Sequence, residues 1–385
     1  MGATPDFGDL RSLMNEPYSR QIWDQLCTWI EQWEPEDREG RVLPYLDGHL
    51  HQWLDEERFV PPRWIEQLME GGGERHYMSI ARFLNLRGRA RIDRWRAAPT
   101  LFNIWEFPSV QSITILDMGH NTFENPDEWK YLYESTHLKS LEELRLTYVD
   151  PAHSAPGWLE GLADATFLDQ LRAIDLGSCQ LEEEELDVLF RSRCSSLREL
   201  DLSNNNISIN TLKRTHGAFP ELESLTLANL SFEKQSPEPL LAFQRLKKLS
   251  ISKGNLASSH YEALGAAPFA PHLTHLGLWG NQVGRNDAYH LFQKGNFAAL
   301  RELEICMARF DNEALDVFLK SDHADKIEVL KLDNNMLTDA AIDLLLSSDR
   351  LENLKSLNLL NNPTTSEGVR RLKEDSRLGP ITLIR

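Results

Sequence analysis

Ten segments of this 385-residue chain repeat one apolar spacing. Ile113, Leu141, Leu171, Leu197, Leu222, Leu246, Leu273, Leu300, Ile327 and Leu354 each open an L-x-x-L-x-L block, with consecutive openings 24 to 30 residues apart. A unit this short cannot bury its own apolar face, so it must stack on its neighbours and the chain must grow as a solenoid. Positions one, four and six of each block point inward, and the residues between them alternate outward along a short strand. Leu197, Leu200 and Leu202 show this, with Arg198, Glu199, Asp201 and Ser203 around them. Three residues after the third apolar position stand Asn121, Cys179, Asn205, Asn281, Asn335 and Asn362. A buried side chain there hydrogen-bonds the backbone as the chain leaves the strand, a structural ladder down the array. Val149, Leu230, Gly254 and Ala308 depart from it, and their turns are expected to be irregular.

Between strands the periodicity becomes helical, as in Leu186, Leu189 and Phe190 after Glu182 to Glu185, or Ala340, Ile342, Leu344 and Leu345 after the candidate caps Thr338 and Asp339. About 270 residues from Ile113 onward, with a helix per unit of about 27 residues, resemble the ribonuclease-inhibitor-like class of leucine-rich repeat proteins. The resemblance implies an α/β horseshoe solenoid, with a parallel sheet on its concave side and helices on its convex side.

Residues 1–78 follow another logic. Ile22, Leu26, Trp29, Ile30 and Trp33 share a helical face, and Pro62, Ile65, Leu68 and Met69 before Gly71-Gly72-Gly73 mark a short helix with a glycine stop. This predicts a small helical N-terminal cap domain, 1–78, before a repeat array, 79–385, whose first strand (Leu84, Leu86) and last strand (Leu378, Ile381, Leu383) are degenerate. Trp23, Trp29, Trp33, Trp53, Trp64, Trp95 and Trp105 crowd the first 105 residues, as an aromatic core or as a binding patch. His49-Leu50-His51-Gln52-Trp53, Arg58 to Trp64 and Ala81 to Leu86 resemble the repeat-companion region that precedes the repeats in myxobacterial-type bacterial proteins, which implies a bacterial origin. The C-terminal edge strand, with unpaired N–H and C=O groups, is expected either to form a homodimer by pairing with a second copy or to be shielded by the preceding loop.

Net charge is −18, which disfavours nucleic acid and anionic membrane and favours a basic partner. Cys27, Cys179, Cys194 and Cys306 lack paired spacing and read as reduced thiols. With no basic leader and no apolar run near 18 residues, a soluble cytoplasmic protein is expected. No phosphate-binding glycine frame, H-E-x-x-H, G-x-S-x-G or C-x-x-C occurs, and His49, His51 and His76 lack the spacing of a metal site. No catalytic residue, cofactor or metal is therefore expected. A basic stripe, Arg82, Arg87, Arg89, Arg91, Arg94 and Arg96, either grips an acidic ligand or pairs with the acidic cap around Glu34, Glu36, Asp37, Asp55, Glu56 and Glu57.

Two outward registers run down the array. One reads Asp117, Arg145, Asp175, Asp201, Thr226, Ser250, Gly277, Glu304, Lys331 and Asn358; the next reads Gly119, Thr147, Gly177, Ser203, Ala228, Ser252, Trp279, Cys306, Asp333 and Leu360. Trp279 stands out among small and polar neighbours, and exposed tryptophan is enriched in binding hot spots. The expected site is for a protein or peptide on the concave face, centred on Trp279 beside Cys306, with His275, Glu304 and Lys331 as polar rim and Asp175 and Asp201 offering acid. The competing arrangement lays Trp279 over Ser252 and Gly277 as cover for the sheet. The expected function is a noncatalytic interaction scaffold; the alternatives are an enzyme regulator of inhibitor or GTPase-activating type, and an enzyme using the N-terminal domain.

Overall fold

The structure, a computed structural model, describes residues 6–69, 76–87, 104–105, 107–121, 126–149, 158–192, 194–232, 234–375 and 382–384. It forms two compact units, Met1–Cys179 and Gln180–Arg385.

The first unit opens with helices Phe7–Asn15 and Arg20–Glu31. Asp6 and Ser19 cap them by accepting the free N–H groups of Gly8 and Ile22. The second helix buries Trp23, Leu26, Trp29 and Ile30, the face its spacing predicts. A buried indole usually finds a partner for its N–H. Trp23 Nε1 donates to the Phe59 carbonyl at 2.7 Å and Trp64 Nε1 to Glu31 Oε1 at 2.5 Å, with Arg63 Nε on the same Glu31 oxygen at 2.7 Å. Helices Leu43–His49 and Pro62–Met69 complete this part. Strands β1 (Phe83–Asn85), β2 (Ile115–Asp117), β3 (Glu143–Arg145) and β4 (Ala173–Asp175) then pair in parallel, with Leu84, Leu116, Leu144 and Ile174 in one register. All four are buried. The outer edge of β1 is covered by the helical segment itself: Phe59 bridges to Phe83, and Val60 N–H donates to the Phe83 carbonyl at 2.7 Å. Pro61 and Pro62 follow, and since proline has no N–H to continue the pairing, the chain turns there into a helix with Pro62 as its first residue.

The second unit carries β5 (Glu199–Asp201), β6 (Ser224–Ala228), β7 (Lys248–Ser252), β8 (His275–Gly277), β9 (Glu302–Glu304), β10 (Val329–Lys331), β11 (Ser356–Asn358) and β12 (Thr382–Ile384). Each pairs in parallel with the next, and Leu200, Leu225, Leu249, Leu276, Leu303, Leu330 and Leu357 line up as the inward row, with Leu383 in the same register. Helices Glu183–Ser192, Thr211–Ala218, Ser258–Ala266, Asn312–Leu319, Asp339–Ser347 and Ser366–Glu374 join successive strands. Between β8 and β9 the helix Arg285–Ala288 widens into a π turn, Tyr289–Gln293. Between β6 and β7, the shortest repeat, a 3₁₀ turn at Glu238–Ala242 replaces the α-helix. Thr338 caps its helix by accepting from Ala340 N–H; Asp339 instead accepts from the backbone and hydroxyl of Thr365 in the next repeat. The chain is an α/β leucine-rich repeat solenoid with an open parallel sheet. Among the described residues no helix is long and apolar enough to cross a membrane.

Candidate interaction surface

Among the described residues, strands β2 to β11 end in the same way. The residue before each ladder position is left-handed: His120, Tyr148, Ser178, Asn204, Asn229, Lys253, Gly280, Met307, Asn334 and Asn361 have φ between 50° and 70°. Its N–H then donates to a carbonyl of the following repeat, as Lys253 to Trp279 and Gly280 to Cys306, each at 2.8 Å. This turn lifts the chain out of the sheet and stacks like parts of successive repeats. It is regular at Val149, Leu230, Gly254 and Ala308 as well, against the expected irregularity. At two of these the next repeat supplies what is missing: Asn281 Oδ1 accepts from Gly254 N–H at 2.8 Å and Asn335 Oδ1 from Ala308 N–H at 2.9 Å. Each asparagine thus serves two turns. Asn335 also accepts from Phe310 N–H and donates to the Leu332 carbonyl at 3.0 Å. Asn362 donates to Leu332 and Leu359 while accepting from Leu337 N–H. Asn121 donates to Leu86 and Met118, Asn205 bonds Leu202 and Leu181, and Cys179 Sγ reaches the Leu146 carbonyl at 3.1 Å.

The acids of the outward register do related work. Asp117, Asp175 and Asp201 each accept with Oδ1 from the backbone N–H two residues on, at 2.8 to 2.9 Å, so they shape the turn. Asp175 accepts from Thr147 Oγ1 as well. These carboxylates are less open to a basic partner than their position in the sequence suggests. The signal was present as Asp-x-Gly or Asp-x-Ser at the strand end.

Between β8 and β10 the register assembles a charged cluster. His275 lies opposite Glu302, and Glu304 opposite Lys331. His275 Nδ1 is 3.2 Å from Glu302, and Lys331 Nζ lies 2.8 Å from Glu302 while also pairing with Glu304. Partial burial is the largest influence on Lys331 and opposes its charge, but the hydrogen bonds it donates to the two carboxylates outweigh it and raise its pKa. Burial likewise works to raise Glu302, and Lys331 and His275 together overcome it and lower its pKa. Ligating atoms of His275, Glu302 and Glu304 come within 4.8 Å of one another, and the Lys331 ammonium already pairs with both carboxylates. Glu302 belongs to the first outward register, one that the two sequence alignments did not include.

Trp279 is half-buried, and Lys253 Nζ sits 4.7 Å from its ring centroid in a cation–π contact. Cys306 is withdrawn: it is 5% exposed, its thiol bonds Asp333 Oδ1 at 3.1 Å, and burial above all raises its pKa. It adds almost nothing to an exposed floor. Apolar side chains are exposed along the turns instead: Met307 and Met336 are 50% and 57% exposed and Leu360 is also exposed. Trp279, Cys306, Asp333 and Leu360 occupy one position in four successive repeats, tied by the bonds from Gly280 to Cys306, Met307 to Asp333 and Asn334 to Leu360. The described surface therefore offers a ledge at the ends of β8 to β11, carrying an aromatic ring, two methionines and a leucine in successive repeats, with an internally paired charge cluster on the same strands.

In the first unit, Arg82 binds the carbonyls of Ser79 and Ala81 and lies 3.9 Å from Asp47, and Arg87 pairs with Asp117 at 3.3 Å. Arg89, Arg91, Arg94 and Arg96 lie outside the described residues. Of the cap tryptophans, Trp23, Trp29, Trp64 and Trp105 are buried core.

No family model matches the chain, and no curated protein sequence matches it. Solved structures with a similar fold include a protein from Bacteroides fragilis (23% identity, 62% of this chain and 74% of that one, TM-score 0.46). An internalin from Listeria monocytogenes (17%, 80% and 81%, TM-score 0.43) and a chain of the yeast Rad7 and Elc1 complex (19%, 67% and 71%, TM-score 0.44) are others. These values carry no inference about activity or partners.

Proposed function

We propose that the chain is a noncatalytic interaction scaffold that takes a protein or peptide segment on the ledge at the ends of β8 to β11. One observation carries this reading: Met307, Met336 and Leu360 are exposed in consecutive repeats, and Trp279 is half-buried in the repeat before them. Isolated exposed apolar residues are ordinary, but such residues grouped on a rigid surface beside an aromatic ring are how interface anchors are built. Backbone that is already ordered by the stacked turns loses little entropy on binding, which favours affinity. The long-range field of a chain with net charge −18 speeds the approach of a basic partner. At contact, a partner cation would replace Lys331 on Glu302 and Glu304, or Lys253 on Trp279. Cys27, Cys179, Cys194 and Cys306 are buried and none is in a disulfide, which suits a reducing compartment such as the cytoplasm.

Affinity capture from lysate of the native host tests the reading, with the wild type and Trp279→Ala and Met307→Asp in parallel. The proposal expects a protein retained by the wild type and lost from both variants. Equal retention by all three would remove the ledge as the site.

A further inference from the structure

A second, independent feature lies in the Met1–Cys179 unit. A cavity of about 350 Å³ opens beside the sheet's first strand, lined among others by Arg20, Glu56, Phe59, Ile65, Phe83 and Arg87. This volume is within the range of small-ligand sites. Phe59 and Phe83 give it an apolar side within a lining that is otherwise mostly polar, and its charges are unevenly satisfied. The Arg20 guanidinium lies over the Phe59 ring at 4.7 Å and has no carboxylate partner among the described residues. Arg87 is held by Asp117 through Nε at 3.3 Å, which leaves its two terminal nitrogens as donors. Glu56, the carboxylate among these lining residues, is paired with Arg145, itself 5.3 Å from the Phe83 ring. A half-enclosed space with two arginine forks at its wall and aromatic rings beneath matches an acid with a flat or compact apolar body.

We propose that this cavity binds a small organic anion, whose charged head sits between Arg20 and Arg87 and whose apolar body lies on Phe59 and Phe83. The site does not depend on the ledge reading and stands if that reading fails. Arg20 forms no ion pair among the described residues and its contact is with the Phe59 ring, so its substitution leaves no carboxylate uncompensated.

Titration calorimetry on the full chain with benzoate and with phenyl phosphate is the experiment, with phenol and inorganic phosphate as the two halves of the ligand. The expected result is one saturable site for at least one aromatic anion, weakened about tenfold or more by Arg20→Met and partly kept by Arg20→Lys. Phenol and inorganic phosphate should each bind more weakly than the aromatic anion. Arg172→Met, which removes an exposed arginine elsewhere in the same unit, should leave binding unchanged. Tighter binding of benzoate identifies a carboxylic acid and of phenyl phosphate a phosphate ester. Absence of saturable binding by either, the same loss in Arg172→Met, or phosphate alone binding as well as phenyl phosphate would overturn the proposal. Unchanged circular dichroism of Arg20→Met separates lost binding from lost folding.

Discussion

At the scale of single residues, the turn after each strand rests on two neighbouring positions with opposite demands. The ladder asparagine must be buried and satisfied; the residue before it must tolerate a left-handed backbone. Asn335→Ala leaves the buried Ala308 and Phe310 N–H groups without their acceptor. The substitution is expected to lower stability by about 2 to 4 kcal/mol in urea unfolding, and a loss under about 1 kcal/mol would mean that water replaces the side chain. A left-handed residue with a Cβ is disfavoured by roughly 1 to 2 kcal/mol, and Met307 with φ 51° bears this strain whereas Gly280 with φ 70° does not. Gly280→Ala should therefore destabilise, the more so because its new Cβ would meet Lys253 Cγ at 2.8 Å. Met307→Gly should stabilise by about 0.5 to 1 kcal/mol once glycine's larger unfolded-state freedom is counted. Opposite signs in the two unfolding midpoints are the check. Asn121, Asn205 and Asn335 were legible in the sequence because their spacing from the leucines is fixed. The regular turn at Gly254 was not, since its acceptor, Asn281, belongs to the next repeat and only stacking brings it there.

At the scale of elements, strand positions follow directly from the leucine spacing, and helices follow wherever the connection is long enough. The connection between β6 and β7 is too short for an α-helix and carries Pro237 and Pro239, so it forms a 3₁₀ turn. Two helix-side histidines give this unit a pH dependence. His260 Nδ1 accepts from Ala257 N–H at 3.1 Å at the start of its helix, and His323 Nε2 bonds the Gly295 carbonyl at 3.0 Å. Burial, the leading cause in both, lowers their pKa below the ordinary 6.5, so the fold favours the neutral rings. Their stability contribution is complete above pH 6.5, where the unfolded chain is also neutral. It is lost as pH falls below that, when the unfolded chain takes up protons first. Thermal midpoints should fall between pH 7 and about 5.5, and His260→Gln with His323→Gln should flatten the slope. An unaltered slope in the double variant would assign the acid loss to carboxylates.

At the scale of the whole molecule, the repeats make a surface and the sequence hints at where it is used. Trp279 was legible because it interrupts a column of small residues. Its neighbours were not: Lys253 reaches the ring only because its left-handed turn projects it there, and Glu302 enters the cluster through cross-strand register with His275. Cys306 and the acids Asp175 and Asp201 are recruited inward by hydrogen bonds that composition does not reveal. Hydrogen exchange on the wild-type chain with and without its captured partner tests the ledge most directly. The account predicts new protection over residues 279–282, 306–309 and 333–336, which carry the stacked turns after β8, β9 and β10. Protection confined to the helices, or to the Met1–Cys179 unit, would contradict it.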